Sequence, residues 1–184
     1  LPPVIADRLI AGEKDIADRY ESVSVLFADI VGFTPLSARK TPREVVQILN
    51  NLFSRFDKLT EKYGVERIKT IGDAYMVVSG APEIVQDHAL RVAQTALGML
   101  EEIASFNRET GESISLRIGV NSGEAIAAVV GDVKFTYDLW SDAVNMASRM
   151  ESHGEAGKIH CTEEFKHAVE MVHAPSLQFI RRGE

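Results

Sequence analysis

The chain has 184 residues, of which 45% are hydrophobic and 26% charged, and this composition is typical of one globular domain, not of a disordered or fibrous chain. Its 20 Lys and Arg against 27 Asp and Glu leave a net charge of −7, which argues against a nucleic-acid-binding surface because such surfaces are basic. The single cysteine, Cys161, excludes an internal disulfide and favours a reducing, cytoplasmic location.

The N-terminal residues 1–20 predict a weakly amphipathic helical lead-in, interrupted at Gly12. We interpret them as a segment that connects to an upstream membrane or sensor region. No apolar run reaches the roughly 18 residues that a membrane-spanning helix needs, so we expect no membrane contact within this chain. Residues 21–184 are expected to form the folded domain.

The first two thirds of the chain predict elements in the order β-α-β-β-α-β. Their expected positions are a strand over Ser22–Ala28, a helix from the capping box Thr41–Glu44 to Gly64, strands over Val65–Ile71 and Ala74–Ser79, a helix over Glu83–Asn107 and a strand over Ile114–Ser122. Gly72 and Asp73 separate the two middle strands, so we expect a β-hairpin with Asp73 at its tip. This order predicts an α+β, ferredoxin-like fold, with an antiparallel sheet and both helices on one face.

The last third predicts α/β additions to this core. They are strands over Glu124–Val130 and Phe135–Asp138, a helix over Asp142–Ser152, a strand over Lys158–Cys161, a helix over Glu163–Val169 and a last strand over Leu177–Arg181.

Two aspartates stand where predicted strands end. Asp29 follows an apolar strand, and Asp73 lies at the hairpin tip. In the expected sheet these positions are neighbours, and an unpaired buried charge is costly. Because Mg²⁺ is commonly held by one or two carboxylates together with substrate phosphates, the pair predicts a metal site. Two turn-forming aspartates are the alternative.

Further polar residues lie at or near the ends of other strands. Lys69 interrupts an otherwise apolar strand and Asp138 ends one; a solvated lysine and a helix-flanking aspartate are the alternatives. Arg117 alternates with apolar residues in its strand, which indicates either a surface arginine or a phosphate ligand.

Asn145 and Arg149 are four residues apart on the predicted helix Asp142–Ser152, so both project from one face. An amide and a guanidinium together suit a ribose and a phosphate. An exposed polar face is the alternative.

Taken together, four segments resemble the catalytic domain of class III nucleotidyl cyclases, from about Glu21 onward. These segments are Phe27-Ala28-Asp29-Ile30-Val31-Gly32-Phe33-Thr34, Lys69-Thr70-Ile71-Gly72-Asp73-Ala74-Tyr75-Met76, Arg117-Ile118-Gly119-Val120, and Tyr137-Asp138-Leu139-Trp140 with Val144-Asn145-Met146-Ala147-Ser148-Arg149-Met150. The resemblance implies the fold of that family and a head-to-tail homodimer whose active sites are shared between the chains.

One half of each site is implied to bind metal and phosphate. Asp29, Asp73 and the carbonyl group of Ile30 would bind two Mg²⁺ or Mn²⁺ ions, and Arg117 of the same chain would contact the triphosphate. The partner chain would supply the other half, in which Lys69 and Asp138 contact the base, Asn145 orients the ribose and Arg149 stabilises the transition state. The implied reaction is attack of the ribose 3′-hydroxyl on the α-phosphate, which gives a 3′,5′-cyclic nucleotide and pyrophosphate.

Hydrogen-bond complementarity favours ATP. Adenine presents an acceptor at N1 and a donor at N6, which suit Lys69 and Asp138, whereas guanine presents the reverse pattern. In guanylate-selective members of that family, a Glu stands at the position that Lys69 resembles. The sequence is therefore expected to encode an adenylate cyclase.

Three alternatives remain: a guanylate cyclase, a catalytically silent regulatory or dimerisation domain, and a nucleotide-binding module related only by fold. The base-contacting pair opposes the first, and the presence of both metal aspartates and Arg149 opposes the second. The family also has, after the Arg182-Gly183 pair, a strand whose lysine contacts the phosphates. We therefore expect a catalytic domain truncated at its C-terminus.

Overall fold

A six-stranded sheet organises the protein, which we describe from a computed structural model over residues 1–172 and 176–182. The elements in chain order are α1 (Pro3–Ile10), β1 (Ala17–Val31), α2 (Phe33–Ala38), α3 (Pro42–Tyr63), β2 (Glu66–Ile71), β3 (Ala74–Ser79), α4 (His88–Thr110), β4 (Ser115–Val130), β5 (Thr136–Trp140), α5 (Asp142–Ser152), β6 (Ile159–Cys161) and α6 (Glu163–Glu170). Of the Arg182-Gly183 pair, Gly183 lies outside the described residues.

The strand order is β2-β3-β1-β4-β5, and β6 joins β4 in parallel while the other pairs are antiparallel. Its first four strands have the order of a ferredoxin-like sheet, which confirms the predicted fold. Successive residues of β1 point to opposite faces. Leu26 packs in one core with Phe56 of α3 and Val92 of α4, whereas Val25 packs in a second core with Ile5 of α1.

Two strands that the sequence predicts as separate form one continuous strand in the structure. Residues 115–130 form a single strand, β4, that passes through Gly123 without a break, so the expected separation of Ile114–Ser122 from Glu124–Val130 is wrong. A Cβ at Gly123 would lie 2.8 Å from the Cβ of Ala143 in α5. The glycine therefore permits close helix packing, a role that a sequence alone does not distinguish from a turn.

Other boundaries also differ from expectation. β1 begins at Ala17 instead of Ser22, because residues 17–20 pair with residues 125–128 of β4. β1 also continues to Val31, and β5 to Trp140, so Asp29 and Asp138 lie within their strands and not at the strand ends as expected. α4 begins at His88 instead of Glu83, since the carbonyl group of Pro82 accepts a hydrogen bond from Tyr20 and the chain there is not helical. Residues 177–181 pack Leu177 and Phe179 against the core but form no strand. The helix α2 was not predicted.

A buried polar cluster joins the start of α4 to β1 and β4. The Nδ1 atom of His88 lies 2.7 Å from the hydroxyl of Ser24, which lies 2.6 Å from the hydroxyl of Ser122. The Nε2 atom of His88 lies 3.1 Å from the hydroxyl of Ser22. Burial lowers the pKa of His88, and the nearby carboxylate of Asp87 opposes this effect only in part.

This cluster predicts a loss of stability in acid. Because the folded state disfavours the charged imidazole, His88 contributes stability above its unfolded pKa of about 6.5, and this stability is lost as the pH falls below that value. The unfolding free energy of the native chain minus that of His88→Gln should be constant above about pH 7 and should fall towards pH 5, by up to about 1.4 kcal/mol per pH unit. Urea titrations at several pH values measure this difference; a constant difference would contradict the prediction.

Candidate active site

Asp29 and Asp73 meet at one end of the sheet. The last residues of β1 bring Asp29 opposite Ala74, the first residue of β3, and Asp73 occupies the turn that precedes it. Gly72, at a φ of 60°, allows this two-residue turn. Asp29 and Asp73 are therefore close neighbours, and Ile30 directly follows Asp29 in β1. The structure therefore brings together the three residues expected to hold metal.

Burial, together with the hydrogen bond and negative charge of Asp29, raises the pKa of Asp73 to about 6. Two carboxylates this close repel each other when both are ionised, and a divalent cation between them relieves the repulsion. Their oxygen atoms are the ligands that Mg²⁺ and Mn²⁺ accept. Within residues 1–172 and 176–182, no group of three or more His, Cys, Asp and Glu side chains is arranged to hold a metal ion. The two carboxylates alone would leave a divalent cation with open positions for further ligands.

Arg117 extends this cluster. It pairs with Asp29 across β1 and β4, and alternation directs it away from the buried side chains of Leu116 and Ile118, as expected. Its terminal Nη2 lies 3.6 Å from a carboxylate oxygen of Asp29, and its Nε donates a 2.9 Å hydrogen bond to Glu151. A guanidinium thus lies beside the aspartate pair.

Lys69 and Asp138 form a second cluster. The ammonium group of Lys69 donates a 2.6 Å hydrogen bond to Oδ2 of Asp138, and the backbone N–H of Leu139 donates a 2.7 Å bond to Oδ1. Lys69 is on β2 and Asp138 on β5, the two outermost strands of the ordered path, so the sheet curves until its edges meet. This half-buried cation–carboxylate contact opposes the alternative of a lysine that only reaches solvent.

Asn145 and Arg149 lie on the solvent-exposed side of α5. The hydroxyl of Ser141 caps this helix by accepting from the N–H of Val144, and Ala147 is its buried contact with the sheet. Both polar side chains are exposed, and neither forms a hydrogen bond or ion pair with the residues that the structure describes. The predicted shared face is confirmed, and it points away from the strand that carries Arg117.

Glu151, on α5, lies in the candidate site but was not predicted from the sequence. Its carboxylate binds Arg117, although it lies two positions beyond Arg149 on the other side of α5. The available signal is its spacing of four from Ala147, because residues at that spacing share one helix face.

The comparisons with known proteins agree with this geometry. The sequence profile of the family described as "Adenylate and Guanylate cyclase catalytic domain" matches residues 16–184. The receptor-type guanylate cyclase gcy-28 of Caenorhabditis elegans is 47% identical over 166 residues, which are 89% of this chain and 13% of the relative. An adenylate cyclase of Mycobacterium tuberculosis is 46% identical over 165 residues, which are 89% of this chain and 37% of the relative.

Solved structures show the same similarity. The catalytic core of a rhodopsin-guanylyl cyclase with converted specificity, in complex with ATPαS, is 46% identical, with a TM-score of 0.80 and coverage of 84% of each chain. The protein therefore belongs to the family of class III adenylate and guanylate cyclase catalytic domains, as the sequence motifs indicated.

This chain spans well under half of the length of the curated relatives described above. Among the described residues, no helix has both the length and the apolar character needed to cross a bilayer. The division of the chain at residue 20 and the cytoplasmic location stay predictions.

Proposed function

We propose that this chain is the catalytic domain of an adenylate cyclase, which converts ATP to 3′,5′-cyclic AMP and pyrophosphate. The observation that carries the choice of ATP is the contact between Lys69 and Asp138. A lysine can donate to N1 of adenine and an aspartate can accept from N6, whereas guanine presents a donor at N1 and an acceptor at O6. The same two side chains would leave guanine's polar edge unmatched, which is a large penalty in a site that excludes water.

The orientation of Asp138 supports this assignment. Its Oδ1 is held by the backbone N–H of Leu139, so Oδ2 is the oxygen that can exchange Lys69 for a base. In the free chain the two side chains neutralise each other. Binding of adenine would separate them while satisfying both, and each would keep a hydrogen-bond partner.

The aspartate cluster supplies the phosphate end of the site. We assign Asp29, Asp73 and the carbonyl group of Ile30 to two Mg²⁺ or Mn²⁺ ions, and Arg117 to the triphosphate. At these residues, bound ions would supply Lewis-acid chemistry, which would lower the pKa of the ribose 3′-hydroxyl and offset the charge of the leaving pyrophosphate. Asp29 and Asp73 provide adjacent carboxylate oxygens as ligands. Arg117 adds a positive charge that persists at any physiological pH.

The positions of Asn145 and Arg149 indicate a site completed by a second chain. Both are exposed on the side of α5 that faces away from Arg117, so they are available to a nucleotide held by the aspartates of another copy. The hairpin of β4 and β5 also exposes a cross-strand apolar pair, Ile126 and Trp140, at 45% and 47%. We therefore propose a head-to-tail homodimer with two equivalent sites.

In this arrangement Asn145 orients the ribose, and Arg149 donates hydrogen bonds to the oxygen atoms of the α-phosphate as negative charge develops on them. The removal of one such donor typically lowers the rate by about a hundredfold or more. The chain contributes no nucleophile, because the attacking group is the substrate's own 3′-hydroxyl. Its part is to hold that group in line with the departing pyrophosphate.

The proposal is tested by a product assay. The purified chain, supplied with Mn²⁺ or Mg²⁺ and with ATP or GTP in parallel, should form cyclic AMP at least about tenfold faster than cyclic GMP. Predominance of cyclic GMP would assign the chain to guanylate cyclases. If a dimeric preparation formed neither cyclic AMP nor cyclic GMP, that result would support the silent regulatory domain instead.

A further inference from the structure

We propose that Glu151 is a positioning residue that holds Arg117 ready for the triphosphate of the substrate. The inference rests on the proposed function, because it is there that Arg117 is assigned to the phosphates. It adds a role for a side chain that would not itself touch the substrate.

Two carboxylates hold the Arg117 guanidinium by different nitrogens. Glu151 accepts from Nε at 2.9 Å, whereas Asp29 lies 3.6 Å from the terminal Nη2. A hydrogen bond to Nε fixes the inner edge of the guanidinium plane and leaves the terminal nitrogens for an anion. The shorter contact is the anchor, and the longer contact is the one that a phosphate can replace.

The packing of α5 fixes the position of Glu151. Its side chain is 12% exposed, against 31% for Arg117. A Cβ at Gly119 would collide with the backbone nitrogen of Glu151 and lie 2.6 Å from the carbonyl oxygen of Ala147, so α5 approaches β4 as closely as a residue without a side chain allows. A Cβ at Gly154 would lie 3.1 Å from Cγ of Arg117, so the segment after α5 encloses the arginine stem as well.

Loss of the anchor should act on both the metal and the phosphate. Among the described residues, Asp29 would be the remaining carboxylate partner of Arg117. The guanidinium would then pair more closely with an aspartate that the cations need, and it would turn away from the triphosphate. We therefore expect weaker binding of the metal–phosphate group, with a smaller effect on the chemical step.

The test is a double-mutant cycle on the binding of inorganic pyrophosphate in the presence of Mg²⁺, measured by calorimetry. Glu151→Ala should weaken binding about tenfold, the ratio expected for one charge-assisted hydrogen bond. Glu151→Gln, which keeps a neutral acceptor of the same shape, should fall between Glu151→Ala and the native chain. In the Arg117→Ala background neither substitution should have a further effect. Glu101→Gln, an exposed change on α4, is the control for charge.

Steady-state kinetics separate positioning from folding. Glu151→Gln should raise the KM for ATP several-fold more than it lowers kcat. A merely structural defect would instead lower activity further in the Arg117→Ala background as well. Additive effects, unchanged pyrophosphate binding in Glu151→Ala, or pyrophosphate binding that does not depend on Arg117 would each overturn the inference. A native chain that binds pyrophosphate through both residues yet forms no cyclic nucleotide would contradict the proposed function alone.

Discussion

Asp29→Ala and Arg149→Ala are each expected to lower cyclic AMP formation by about a hundredfold or more. The first removes one of the two carboxylates that converge at the end of β1, and the second removes an exposed guanidinium with no described partner in its own chain. Because Arg149 is exposed, its truncation should leave the thermal unfolding temperature unchanged. Rates of purified variants, compared at equal protein concentration, measure the effect.

Mixing the two inactive variants should restore activity. If each site takes its aspartates from one chain and its arginine from the other, a mixed dimer has one intact site and one doubly damaged site. Random association of equal amounts makes half of the dimers mixed, so about a quarter of the native activity should return. Asp29→Ala mixed with Asp73→Ala is the matched control. Both changes damage the aspartate half that each chain supplies, so no dimer in that mixture has an intact site. A failure of the first mixture to exceed the control would contradict the shared site.

The paired substitution Lys69→Glu and Asp138→Asn is expected to reverse base preference. A carboxylate at position 69 can accept from N1–H of guanine, and an amide at position 138 can donate to O6. The ratio of kcat/KM for ATP to that for GTP should fall by about a hundredfold or more, since each polar mismatch in a closed site is costly.

The matched control for the lysine change is Lys58→Glu, which makes the same charge change as Lys69→Glu at an exposed position of α3. It should leave the ratio unaltered. If the paired variant lost activity with both nucleotides in equal proportion, Lys69 and Asp138 would be supports of the fold and not contacts of the base.

The proximity of Asp29 and Asp73 could be predicted because it depends on local geometry. A two-residue turn fixes Asp73 one position before β3, and the ferredoxin-like order makes β1 the neighbour of β3. Asp29 and Asp73 therefore had to be close once the hairpin was recognised. Capping signals similarly placed the start of α3, where Thr41 and Glu44 satisfy each other's backbone N–H groups.

The contacts that could not be predicted depend on tertiary packing. Lys69 reaches Asp138 because the long strands bend and the edges of the sheet meet, and no local pattern encodes that curvature. Glu151 reaches Arg117 because α5 approaches Gly119 closely. The sequence placed Asn145 and Arg149 on one face of α5, but it could not show that this face is turned away from Arg117.

The most direct test of the account is the rate of cyclic AMP formation from ATP, measured over a series of protein concentrations with cyclic GMP assayed in the same samples. A site shared between two chains predicts that the rate per chain rises with concentration until the dimer is saturated, with cyclic AMP as the main product. A rate per chain that stays constant while the protein is monomeric would contradict the shared site. Cyclic GMP as the main product would contradict the assignment of Lys69 and Asp138 to adenine.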